Sequence, residues 1–308
     1  MAQVTAAPPR HHEFGQTSRR DLWWVGPLLT FLGLMAFVVY GTWAAWQGNC
    51  YEIRQHQGAD AFYELGNKPV RPYLSPFFAP LIYDPNGNSP HALIPSDIRP
   101  SWLPGWFPFT AGFLILAFPG LFRFTCYYYR KAYYRALWMD PPACAVGEPR
   151  KGYLGENHWP LLVQNSHRYW MYIVCLFLIL LWWDALLAFF CWGTDAEGRV
   201  GGAFGLGMGV GSLVMLVNVI LLSGFTLGCN SVRHLVGGRL NHFACYTCPV
   251  AGAPPVEKKL AGYHAWRVSG WFNERHMEWA WLSLFWVGFT DLYIRLCALG
   301  IWHDVRFF

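Results

Sequence analysis

From 200 to 232 the chain runs for 33 residues without a formal charge, and from 22 to 46 for another 25. About 20 apolar residues in a helix cross the hydrocarbon core of a bilayer, so each run is long enough to span it once. Three further apolar runs carry isolated charges: 106–129 holds Arg123, 169–192 holds Asp184, and 279–302 holds Asp291 and Arg295. Charged residues make up only 13% of the 308, where a soluble domain carries about a quarter. The expectation is an all-α integral membrane protein with five transmembrane helices, a bundle over 22–302 between a cytoplasmic segment 1–21 and an outer tail 303–308. A cleavable signal has an apolar region of roughly 7–15 residues and a small-residue cleavage site. The first run is longer and ends in "TWAAWQG", so it reads as a retained span.

Basic residues orient the bundle. With the N-terminus inside, fifteen Lys and Arg fall in inner segments and six in outer ones. The positive-inside rule then places the N-terminus in the cytoplasm and the C-terminus outside, with the chain crossing the membrane several times. The net charge of +5 is largely this bias and does not point to nucleic acid. The inner loops are 139–167 and 233–275. The outer segment 47–105 holds nine prolines and the turn signal "YDPNGNSP", which rule out one regular element. Most of the nine cysteines fall in spans or inner segments, so no disulfide framework is expected; Cys50 and Cys191 would face outward. Gly205/Gly209 and Gly207/Gly211 are small-xxx-small pairs, read as helix packing.

Reactive side chains gather at the inner helix ends: Arg123 and Cys126; His167 and Arg168; Cys229, Arg233 and His234; Glu274, His276 and Glu278. A single interfacial histidine or tyrosine is ordinarily a headgroup-level anchor; the convergence of four helices points to a site. No phosphate loop, nucleophile elbow or HExxH is present. Helices one and two have no histidine, so a mid-membrane pair of haems is not expected. A mixed-ligand [2Fe–2S] centre takes two thiolates and two imidazoles, which Cys126 and Cys229 with His167 and His234 (or His276) supply, provided the helix ends between Cys229 and His234. "CYTC" at Cys245 and Cys248, with His242 nearby, lacks the second half of a zinc ribbon. Asp291 and Arg295 can pair as i, i+4, and Asp184 lies at a similar depth to Arg295, where an interhelical pair is an alternative. The bland reading of these charges is a structural ion pair, the other a quinone or proton path.

Four stretches, "FRFTCYYYRKAYYR", "DPPACAVGEPRKGY", "QNSHRYW" and "GCNSVRHLVGG", together with the five-span layout, resemble the membrane-anchor subunit of actinobacterial succinate dehydrogenases. That resemblance implies docking of an FAD-bearing flavoprotein subunit and of an iron–sulfur subunit with further clusters on the cytoplasmic face. It also implies delivery of electrons from succinate to menaquinone, in some members through a membrane-embedded Rieske-like [2Fe–2S] cluster. The chain departs from that pattern at Asn230 and Val232, and in "SPFFAPL", which lacks a cysteine. On this reading Arg123, Tyr127 and His167 border the quinone and Arg130, Lys131 and Arg135 face the docked subunit. Cys126, Cys229, His167 and His234 would be the metal ligands, and membrane lipids surround the bundle. The alternatives are an anchor with a quinone pocket and no redox centre of its own, or a transporter; the lack of internal repeats counts against the transporter.

Overall fold

The structure is a computed structural model; it describes residues 13–52, 64–65, 68–69, 73–85, 89, 91–149, 157–159, 161–190, 193–194, 200–203, 205–237, 260–305 and 307. The Cys245/Cys248 pair, His242 and Cys191 lie outside these residues. In chain order the helices are α1 (Val25–Gln47), α2 (Ala111–Thr125), α3 (Tyr127–Tyr133), α4 (His167–Phe190), α5 (Val210–Leu227), α6 (Asn230–Val236), α7 (Leu260–Glu274) and α8 (His276–Ala298). A π-helical turn, Tyr134–Trp138, follows α3, and a 3-10 turn, Leu161–Ser166, leads into α4. Two small antiparallel ribbons complete the described residues: β1 (Glu64–Leu65) with β2 (Lys68–Pro69), and β3 (Gly193–Thr194) with β4 (Val200–Ala203).

Three helical segments are long and apolar enough to cross a membrane: Val25–Gln47, Leu161–Phe190 and Val210–Leu227. A fourth exists if Ala111–Thr125 and Tyr127–Trp138, interrupted at Cys126, count as one span. α8 has 23 residues but carries Glu278, Asp291 and Arg295, which keeps it outside that set.

The structure differs from the sequence reading at the helix ends. The uncharged run 200–232 is not one helix: its first part is β4 and an extended stretch, and α5 begins only at Val210. Gly205, Gly207 and Gly209 therefore precede the helix, and the small-xxx-small reading of these pairs does not hold. The inner loop 233–275 is partly helical, with α6 before and α7 after the undescribed residues. α5 ends at Leu227 and Cys229 is extended (φ −67°, ψ 135°), so the chain breaks at Cys229, just ahead of His234. Cys126 holds the same backbone state (φ −64°, ψ 131°) between α2 and α3.

The chain forms two compact units, 1–38 with 124–166, and 39–123 with 167–308. In the first, the N-terminal segment is laced to the residues before 150. Gly15 N–H donates to Gly147 O (3.0 Å), Gly147 N–H to Gln16 O (2.9 Å), and Thr17 Oγ1 to Ala145 O (2.8 Å). A Cβ on Gly147 would stand 2.0 Å from Glu13 O, so the lacing requires glycine there. Tyr133 ties the unit internally: its hydroxyl donates to Phe124 O (2.9 Å), accepts from Gln164 Nε2 (2.5 Å), and its ring stacks on Phe124.

In the second unit, α4, α5 and α8 enclose a core of Tyr73, Ala185, Ala188, Val214, Met215, Val219, Tyr293, Ile294 and Cys297. Tyr73 comes from the proline-rich segment. That segment is no mere surface loop: Tyr73, Leu74, Phe77, Phe78 and Leu81 are all buried, and Phe78 stacks on Tyr51. Gly211 makes room for this packing, since a Cβ there would lie 2.6 Å from the Tyr73 ring. The tail closes the same end. Asp304 accepts hydrogen bonds from Tyr73 (2.6 Å), Tyr293 (2.6 Å) and the Gly211 N–H (2.8 Å) at the start of α5, where a carboxylate complements the helix dipole.

Candidate functional site

The second unit brings four helix ends together: the end of α2, the start of α4, the end of α5 and the start of α8. Phe122, one residue before Arg123 on α2, is 1% exposed and stacks flat on the His167 ring at the start of α4 (centroids 4.6 Å, 9°). Phe122 meets Phe225 of α5 edge-on (5.6 Å, 70°), and Phe225 stacks on His276 of α8 (5.0 Å, 15°). The four rings form a continuous column with an imidazole at each end.

Arg123 crosses this column. Its guanidinium lies 4.4 Å from the centre of the Phe225 ring, a cation–π contact. Its Nη2 donates to Ser283 Oγ (2.8 Å) and its Nη1 to Ala280 O (3.2 Å), both on α8. A guanidinium has five N–H groups in a fixed fork, and here the packing sets the fork's direction. His167 Nε2 also lies 3.1 Å from Cys229 Sγ, and the same sulfur accepts from the Ser231 N–H (3.4 Å).

The expected residues divide accordingly. Arg123, His167 and Cys229 are gathered around the Phe122–Phe225 pair. His234 is engaged elsewhere, with Nδ1 3.3 Å from Arg168 Nη2 at an exposed position. Cys126 and Tyr127 belong to the first unit; there Cys126 is buried, and Tyr127 is 69% exposed beneath the Arg130 guanidinium (4.8 Å). Among the described residues, no group of three or more His, Cys, Asp or Glu side chains is placed to hold a metal ion. Sequence reasoning did not single out Phe122, Phe225 and Ser283. For Ser283 the signal was periodicity: His276, Ala280 and Ser283 follow the i, i+4, i+7 spacing of one helix face.

The charges within α4 and α8 stand apart from this site. Asp291 pairs with Arg295 one turn on (3.6 Å), accepts a hydrogen bond from Tyr40 (2.6 Å) and is bonded by Ser75 Oγ. Arg295 also donates to Asn49 Oδ1 (3.1 Å) and Ala44 O (3.4 Å) and lies over Trp43. The i, i+4 alternative is the one found. Asp184, buried on α4, takes no part in that pair.

The model of the family described as actinobacterial succinate dehydrogenase subunit SdhC matches residues 25–300. Among solved structures, a chain of the Mycobacterium smegmatis Sdh1 complex in the apo form is similar over 100% of this chain and 98% of that one, with 37% identity and a TM-score of 0.71. No curated protein matches.

Proposed function

The chain belongs to the actinobacterial succinate dehydrogenase SdhC family of membrane subunits, and from that premise we propose that it anchors the enzyme and reduces menaquinone at the Arg123–His167 column. α8 is the fifth span on this reading: its 23 residues reach about 34 Å at 1.5 Å each, and its Asp291 and Arg295 neutralise each other. The N-terminus is cytoplasmic and the C-terminus outside, following the basic bias. The flavoprotein and iron–sulfur subunits dock on the inner face against Arg130 and Lys131.

The observation that carries the quinone reading is Arg123, a half-buried cation held by Ser283 and Ala280 over the Phe225 ring, on which His276 stacks. Reduction of a quinone adds two electrons and two protons. The electrons would come from succinate oxidised at the flavoprotein subunit, by way of the iron–sulfur subunit. Charge that builds on a quinone oxygen is stabilised by a fixed donor aimed at it, the part given to Arg123. His167 supplies one proton to a carbonyl oxygen and water at the inner face the other, while the buried Phe122 and Phe225 rings hold His167 and Arg123 in place.

The 3.1 Å contact between His167 and Cys229 favours a second reading, a [2Fe–2S] centre on Cys126, Cys229, His167 and His234. Within the second unit the two imidazoles do not converge on Cys229 as such a centre needs: His234 lies 3.3 Å from Arg168, and His167 lies flat on Phe122. We route no electron through such a centre.

His167→Ala distinguishes the readings. Menaquinone reduction by succinate should fall at least tenfold in the purified complex while reduction of a soluble dye by succinate is unchanged, and the iron content should stay at the wild-type value. Equal loss of both activities would mean an assembly role. Loss of two irons per complex would establish the cluster instead.

A further inference from the structure

Two cavities in the first unit share one wall. The larger, about 420 Å³, is lined almost wholly by apolar side chains, among them Trp23, Trp24, Leu28 and Phe31 at the start of α1. The smaller, about 310 Å³, is lined by Tyr127, Arg130, Lys131, Tyr134 and Asp140. Arg135, on the π-helical turn, lines both. Both volumes fall in the range of small-molecule sites, roughly 300–1,000 Å³.

The location is set by α1. Its membrane-crossing stretch begins at Val25, so Trp23 and Trp24 stand at its boundary, where tryptophan belongs in an interface. A slot whose apolar walls run from that boundary into the first turns of a span is open to an acyl chain. Next to it, among the described residues of the smaller cavity's wall, stand three cations, Arg130, Lys131 and Arg135, and one carboxylate, Asp140. Apolar slot and cationic cavity meet at Arg135, whose charge can reach a group seated between them.

We propose that this joined pocket holds one anionic phospholipid, with an acyl chain between Trp24, Leu28 and Phe31 and its phosphate at Arg135. A quinone would suit the slot but brings no anion for the cations. An acidic segment of a docked protein would suit Arg130 and Lys131 but not the slot. Basic pockets beside spans are the places where anionic headgroups bind.

The test uses the purified complex with its partner subunits, delipidated and then exposed to mixed micelles holding equal amounts of phosphatidylglycerol and phosphatidylcholine. Retained lipid is identified by mass spectrometry. The wild type should keep about one phosphatidylglycerol per anchor chain, in about tenfold preference. Arg135→Gln should abolish the preference and Arg135→Lys restore most of it. Leu28→Trp, which fills the slot from α1, should lose the lipid whichever headgroup is offered. Arg135→Gln with its preference intact would overturn the proposal. So would a quinone, and not a phospholipid, displaced by Leu28→Trp, or release of the iron–sulfur subunit by Arg135→Gln with lipid retention unchanged.

Discussion

Asp291 shows how this chain keeps a charge in an apolar helix. It is fully buried, and its oxygens are engaged by Tyr40, Ser75 and Arg295, contributed by α1, the proline-rich segment and α8 itself. Arg295 is equally enclosed, by Asn49, the Ala44 carbonyl and the Trp43 ring. Removing one member of a buried pair leaves the other charge uncompensated, at about 3–5 kcal/mol. Asp291→Ala should therefore lower the thermal unfolding temperature of the complex markedly, whereas the double variant Asp291→Leu with Arg295→Met should recover much of it. Unfolding of both variants in the same detergent, followed by tryptophan fluorescence, checks this. A near-silent single variant would mean that the pair does not hold α1, the proline-rich segment and α8 together.

At the scale of elements, the helices end where special backbone or close packing requires it. Cys126 and Cys229 both stand extended between a longer helix and a short one. Gly211 and Gly224 lie inside α5 where bulky rings press on the backbone: an added Cβ would fall 2.6 Å from Tyr73 or 2.5 Å from Trp279. A methyl group there overpacks the contact, at about 1–3 kcal/mol. Gly26, near the start of α1, has nothing within 4 Å of the same position. Gly211→Ala should thus lower the apparent melting temperature, while Gly26→Ala leaves it level or raises it slightly through helix propensity. Parallel melts of the two variants make the comparison. The uncharged run 200–232 announced apolar surroundings but not this division, because an extended glycine stretch and a helix are equally free of charge. Only the approach of Tyr73 and Asp304 shows why the helix waits until Val210.

For the molecule as a whole, the basic bias is the feature that reaches beyond the chain. Arg130 and Lys131 sit on α3 with Tyr127, and the Arg130 guanidinium packs on the Tyr127 ring. Changing both to glutamate reverses two charges on the proposed docking face, and like-charge juxtaposition across an interface costs several kcal/mol. Membranes from the double variant should lose most succinate–dye activity to the soluble fraction, with the anchor itself still inserted. Centrifugation and immunodetection of the three subunits provide the readout, and full retention of activity on the membrane would place the docking surface elsewhere.

The sequence by itself determined the solvent of this protein and its family. Lipid excludes charge from a helix, so long uncharged runs betray a membrane chain without any knowledge of its contacts, and motifs as long as "FRFTCYYYRKAYYR" carry the family. It also placed Arg123, His167 and Cys229 at helix ends, because an apolar run must stop where polar side chains begin. Which of those residues meet was decided only in three dimensions. His167 is joined to Cys229 and Phe122 from other helices, while His234, five residues from Cys229, is held by Arg168. The partner of Arg295 and the burial of Tyr73, Phe77 and Phe78 were decided the same way. A lone sequence records how polar each position is; it does not record which helix ends are neighbours, and side-chain pairing depends on that.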